Sequence, residues 1–221
     1  MKLIIFGSPN SPYLRKTRIV AAEKNISVEF HAHSPWTKDS LASTHNPLGK
    51  IPVLILEDGR TLYDSRVIVE YLDTLNASPR LIPAEDTARI SVKRWEALAD
   101  GVCDAAVAIF MELQYPAGEH RTTFLERQKK KVIRGLSVVA EDLGSRDWCM
   151  GSGYTLADAA LISALEYLEF RVPEVVDWRA IHPNLAAYAE RIGARPSAKL
   201  TAPPRRGEQV HQGQTFNPDV A

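Results

Sequence analysis

The sequence predicts an α+β/α chain, in which an N-terminal βαβ-ββα domain is followed by an all-α helical-bundle domain. Three observations predict it. Short apolar runs alternate with helical patterns over the first eighty residues, an Asp58-Gly59 pair joins two of those runs as a hairpin, and no convincing strand signal remains after about residue 86.

Taken in order, "KLIIF" (2–6) reads as a buried strand. "GSPNS" follows it, and Pro12 suits the first position of a helix over 12–25, which makes Ser11 its cap. Leu14, Ile19, Val20 and Ala22 supply that helix with a buried face, while Arg15, Lys16 and Arg18 read as a solvated one. "SVEFHAH" (27–33) alternates Val28, Phe30 and Ala32 as a half-buried strand. A loop with room for a short helix leads to "IPVLILED", and the Asp-Gly turn returns the chain antiparallel through "RTLYD". Ile68, Val69 and Leu72 at helical spacing then mark a helix over 65–75.

The segment 77–85, with two prolines, reads as a linker between a domain of residues 1–76 and a helical domain of 86–200. Ile90, Trp95, Leu98, Val102, Ala106, Phe110 and Leu113 form one long stripe. "YPAG" breaks it, and Leu125, Val132, Leu136, Val139 and Leu143 form a second over 119–143, so two antiparallel helices are expected. "YTLADAALISALEYLEF" opens with Thr155 as cap and Asp158 three residues on, a capping-box pattern in which Asp158 is a folding signal. A shorter helix over 183–193 follows, and 201–221, rich in proline, glycine and polar groups, reads as a tail without its own core.

Composition excludes several classes. Lys plus Arg and Asp plus Glu both number 27, so nothing marks a nucleic-acid binder. No run approaches the roughly 18 apolar residues of a membrane span, and the first residues lack a signal peptide's apolar region, so a cytoplasmic protein is expected. Cys103 and Cys149 are far apart, and Cys103 falls on an apolar stripe as a core residue. His31, His33 and His45 have no partner at ligand spacing, so no metal site is expected.

Three stretches, "NPLGKIPVL" (46–54), "YDSRVIVEYL" (63–72) and "YTLADAAL" (154–161), resemble landmarks of the soluble (cytosolic) glutathione S-transferase family, in that family's order. The resemblance spans about residues 1–200. It implies a thioredoxin-like N-terminal domain and the glutathione transferase fold, with glutathione as co-substrate and no metal. A cis Ile51-Pro52 bond would leave the Ile51 N–H and C=O to pair with glutathione's cysteinyl unit, as an added strand would. Asp64 and Ser65, at a helix start, would take the γ-glutamyl ammonium and carboxylate. The family more often has Glu or Gln where Asp64 stands. Lys50, Trp36 and Lys38 are the candidates for the glycine carboxylate.

Family members stabilise the glutathione thiolate with a tyrosine near the end of the first strand, or with a serine or cysteine at the start of the first helix. Phe6 ends the strand here and Tyr13 lies inside the helix, leaving Ser11, with Asn10 and Ser8 as rival donors. Lowering a thiol pKa of about 8.5 by two units takes just under 3 kcal/mol, within reach of one hydroxyl hydrogen bond and a helix end. "SPYLRKTR" resembles the start of omega-like members with Ser11 in place of cysteine, and serine cannot form a mixed disulfide. The "S-S-C" pattern of zeta-like isomerases is absent.

The resemblance thus implies a serine-type transferase that adds glutathione thiolate to a small electrophilic or hydrophobic second substrate. A homodimer in a detoxification role, with no nucleic-acid or membrane partner, goes with it. Two other readings stay open at this point. One is a non-catalytic interaction or regulatory protein of the same fold, and the other is a glutathione-dependent thiol-disulfide reductase or isomerase.

Overall fold

A computed structural model of the chain describes residues 2–36, 40–203 and, as backbone, 215–216. Its elements run β1 (Ile4–Gly7), α1 (Pro12–Glu23), β2 (Val28–Ala32), α2 (Ala42–His45), β3 (Val53–Ile55), β4 (Thr61–Leu62) and α3 (Ser65–Leu75). Then come α4 (Asp86–Glu112), α5 (Thr122–Leu143), α6 (Leu156–Arg171), α7 (Trp178–Ile181), α8 (Pro183–Gly193), α9 (Pro196–Leu200) and β5 (Thr215–Phe216). The chain divides into two compact units, one running to Ile82 and rejoined from Pro196, the other Pro83–Arg195.

In the first unit the sheet order is β4-β3-β1-β2-β5. β1 is parallel to β2 and antiparallel to β3, with Phe6 opposite His31 and Val53, and β4 returns antiparallel with Leu62 opposite Leu54. Consequently β1 and β2 end, β3 begins and β4 ends at the same edge of the sheet. Leu3, Ile5, Phe6, Val28, Phe30, Val53 and Leu54 are buried, as are Leu14, Ile19 and Val20 of α1 and Ile68, Val69 and Leu72 of α3. The face of α1 turns slightly from the expected one, since Ala21 rather than Ala22 is fully buried.

The boundaries differ from the expected 1–76, 77–85 and 86–200. Leu81 and Ile82 are 1% and 2% exposed because their N–H groups donate to the Asp73 carboxylate at 2.9 and 3.1 Å, which holds that part of the expected linker in the first unit. α9 also belongs there: Ser197 donates to Glu23, and the Arg15 guanidinium donates to the Ala198 carbonyl at 3.4 Å. The expected solvated basic face is therefore overturned in part, with Arg15 and Lys16 3% and 1% exposed. Strand signals do not end at the linker either, since Thr215–Phe216 pairs antiparallel with β2.

In the second unit, α6 is apolar on nearly all sides and packs against α4 and α8. Its start is held by Asp158. One carboxylate oxygen accepts from the Thr155 N–H and hydroxyl at 2.8 and 3.0 Å, and the other from the Cys149 N–H and the Tyr188 hydroxyl, both at 2.8 Å. Cys103 is buried as expected, whereas Ile90 and Leu113, at the ends of the α4 stripe, are exposed. No described helix is long and apolar enough to cross a membrane.

Candidate functional site

Gly7 closes β1 where three segments meet: a methyl group added there would stand 3.3 Å from Leu14 Cδ1 and 3.4 Å from Ile51 Cβ. The start of α1 and the turn before β3 can approach this closely because residue 7 has no side chain. Beyond Gly7 the chain makes a tight turn in which the Ser11 N–H donates to the Ser8 carbonyl at 2.9 Å and the Asn10 N–H donates to Ser8 Oγ at 3.3 Å. Ser8 thus shapes the turn as an acceptor, and its O–H is still able to donate.

Ser11 caps α1. Its backbone is extended (φ −85°, ψ 125°), its Oγ accepts from the Leu14 N–H at 3.3 Å, and Pro12 follows at the first helical position. Accepting uses one lone pair of the hydroxyl and leaves its O–H to donate. Ser11 and Asn10 are both half-buried, and Asn10 Oδ1 has no hydrogen-bond partner among the described residues.

The Ile51–Pro52 bond is cis, and none of the described turn and loop hydrogen bonds uses the Ile51 N–H or C=O. The loop leading to it is built on Asn46, which is 2% exposed. Its amide donates to the Lys50 carbonyl at 2.9 Å, Oδ1 accepts from the Leu48 N–H at 3.0 Å, and its carbonyl accepts from the Gly49 N–H at 2.8 Å. Gly49 has φ 61°, in the left-handed region open to glycine.

Asp64 caps α3, accepting the Arg66 N–H at 3.0 Å, and Ser65 at the first helical position is buried. Register carries the chain from Leu62 opposite Leu54 toward Pro52, so the α3 N-terminus lies beside the cis turn. The two helix starts and the turn between them therefore share one edge of the sheet, and two N-terminal dipole ends favour anionic groups there.

His33, at the end of β2, stacks on Phe6 with ring centroids 4.5 Å apart. Its Nε2 accepts from the Leu41 N–H at 2.9 Å, so a neutral ring carries its proton on Nδ1. Behind the site Arg18 lies over the Phe30 ring at 4.5 Å, and burial, with the Arg15 charge second, lowers its pKa to about 10.

The structure thus brings together Ser8, Asn10, Ser11, Ile51, Pro52, Asp64 and Ser65. It does not gather the cation candidates: Lys50 is exposed and Trp36 is 72% exposed, while Lys38 lies outside the described residues. Asn46, His33 and Gly7 were missed as positioning residues. Only Asn46 carried a readable signal, the Asn-Pro turn dipeptide. No group of three or more His, Cys, Asp or Glu residues able to hold a metal occurs among the described residues.

Family models place this architecture. The N-terminal domain of glutathione S-transferase matches residues 10–75 and the C-terminal domain residues 122–191. An uncharacterized GST-like protein of Escherichia coli, YibF, is 35% identical over 205 residues, covering 93% of this chain and all of that protein. A glutathione S-transferase of Methylobacillus flagellatus, whose crystal structure has glutathione bound, is 48% identical with TM-score 0.88, over 91% of this chain and 100% of that one. Another, from Methylobacterium radiotolerans in complex with glutathione sulfonate, is 37% identical with TM-score 0.89, over 96% and 99%. The chain belongs to the glutathione S-transferase family.

Proposed function

We propose that this protein is a glutathione transferase that binds glutathione at the shared sheet edge and stabilises its thiolate for attack on a small electrophile. The observation that carries the proposal is the meeting, around Gly7, of the Ser11-capped helix start and the cis Ile51–Pro52 turn, with the Asp64–Ser65 helix start beside them. The unengaged main chain of Ile51 suits a peptide laid alongside as an extra strand. The α3 start with the Ser65 hydroxyl suits the γ-glutamyl carboxylate, and the Asp64 carboxylate its ammonium. The glutathione held in the 48% identical structure supports the same ligand here.

Catalysis follows from the α1 start. The Ser11 O–H donates to the sulfur while Oγ keeps its bond from Leu14 N–H, so capping the helix and holding the thiolate use different parts of one hydroxyl. The helix end and the hydroxyl both favour the anion, which raises the thiolate fraction near neutral pH. Because serine has no redox chemistry, conjugation is favoured over disulfide exchange. The working form is a homodimer, checked by a solution mass of twice the 24.6 kDa chain.

Calorimetric titration with glutathione and steady-state rates across a panel of electrophiles, including a chlorinated dinitrobenzene, test the function. Binding with thiol-dependent turnover is the expected result. Binding without turnover across the panel overturns the catalytic part, and no binding at millimolar glutathione overturns both.

A further inference from the structure

α5 carries five cations within two turns, Arg127, Lys129, Lys130, Lys131 and Arg134, and none of their side chains has an acidic, carbonyl or aromatic partner among the described residues. The rest of the second unit behaves otherwise. Arg94 pairs with Asp142, Arg121 with Glu112, Arg179 with Glu169 and Arg191 with Asp147, and every other lysine and arginine of Pro83–Arg195 is engaged as well. Arg127, Lys130, Lys131 and Arg134 are exposed and stand at i, i+3, i+4 and i+7, so they form one stripe about 10 Å long. Within it lie four like-charge pairs at i,i+3 or i,i+4 spacing, each of which destabilises the helix. Glu126 stands four residues before Lys130, the favourable spacing for an ion pair, yet it pairs with no cation among the described residues. The helix thus carries a repulsion that no described residue relieves.

Its surroundings select what can relieve it. The exposed Glu141 lies on the continuation of the stripe, seven residues beyond Arg134, so a nucleic-acid duplex or a bilayer, whose anions extend far past the stripe, would meet a carboxylate as well. No large apolar or aromatic side chain is exposed between Arg127 and Arg134, which leaves no wedge for lipid and no face for a stacked base. Three or four carboxylates on an extended peptide, at about 3.3 Å per residue, span the same length as the four cations. We propose that this face of α5 is a docking site for a short acidic segment of a partner protein, whose Asp or Glu side chains pair with Arg127, Lys130, Lys131 and Arg134. The site is independent of the glutathione reading given above.

Fluorescence anisotropy of a labelled hexaglutamate peptide tests this. The wild type should bind at low ionic strength, and binding should weaken as salt screens the pairs. Arg127→Gln, Lys130→Gln, Lys131→Gln and Arg134→Gln combined should weaken it at least about tenfold, the loss of four exposed pairs. Lys50→Gln with Lys199→Gln, at two exposed cations of the first unit, should leave it unchanged. Glutamine keeps the helix propensity, and with the like-charge pairs gone the fourfold variant should melt at or above the wild type, so its loss of binding does not come from unfolding. No binding by the wild type, unchanged affinity in the fourfold variant, or the same loss in both variants overturns the proposal. Tighter binding of a DNA duplex or of phosphatidylserine vesicles than of the peptide, through the same four residues, overturns the acidic segment as the occupant.

Discussion

Lys24, the C-cap of α1, and Asp73, in the last turn of α3, form an ion pair of 3.2 Å with side chains 0% and 5% exposed. The same ammonium donates to the carbonyls of Asp73 at 3.0 Å, Pro79 at 2.7 Å, and Asn76. Asp73 in turn receives the N–H groups of Leu81 and Ile82. One buried charge thus ties the ends of two helices to the segment that leaves the first unit. Replacing it by Lys24→Met strands a buried carboxylate and three carbonyls, and should cost about 3–5 kcal/mol. Lys24→Arg should recover less than half, because a planar fork does not reproduce a point donor surrounded by oxygens. Urea midpoints of the three proteins at equal m-value check both outcomes.

Glu112 and Arg121 supply a pH dependence. The Arg121 side chain and N–H hold the Glu112 carboxylate from its ordinary 4.5 down to about 2. A carboxyl depressed in the folded state binds fewer protons there than in the unfolded chain, so its contribution is fully present above about pH 4.5 and is lost as pH falls toward about 2. Glu112→Gln should therefore melt below the wild type at neutral pH, with the gap closing as acid is added through that window. Melting curves at stepped pH measure it, and a constant gap contradicts the pairing.

Asp158 holds the fold through four hydrogen bonds. Tyr188→Phe removes one of its four hydrogen bonds and should cost about 1.5–3 kcal/mol, the range for a bond to a charged group. Asp158→Ala removes all four and should leave little folded protein, against a total stability of about 5–15 kcal/mol. Circular dichroism on heating separates the two. The Cys149 thiol, pushed up by burial and then by Asp158, should stay unmodified by thiol reagents in the folded protein and react on unfolding.

Gly7 tests the geometry of the site. Gly7→Val places branched carbons against Leu14 and Ile51, and should weaken glutathione binding at least tenfold by pushing the cis turn away from the α1 start. Titration calorimetry reads the loss, and unchanged affinity would mean that this approach does not shape the site.

Much of this was legible because local signals and packing agreed. α3 and α8 run Ser65–Leu75 and Pro183–Gly193, as the apolar periodicity and the Asp-Ser and His-Pro starts imply. The helix start at Ser11 and the capping role of Asp158 were readable for the same reason. The rest depended on distant chain. Arg15 and Lys16 read as solvated because nothing near them in sequence announces their burial, and the Ala198 carbonyl of α9 that Arg15 meets lies some 180 residues later. Leu81 and Ile82 sit in a proline-rich stretch, and their burial is decided by Asp73. Asn10 offered a plausible donor in sequence, but only the fold reveals which of its atoms lacks a partner.

The central claim, that the Ser11 hydroxyl stabilises the glutathione thiolate, is tested most directly by titrating the ultraviolet thiolate absorbance of bound glutathione in the wild type and in Ser11→Ala. Losing the cap costs the variant about 1 kcal/mol of stability, so it should remain folded and still bind. The bound thiol pKa should lie about two units below the free value of about 8.5 in the wild type and rise by one unit or more in Ser11→Ala. An equally low pKa in the variant, with glutathione bound, would contradict it.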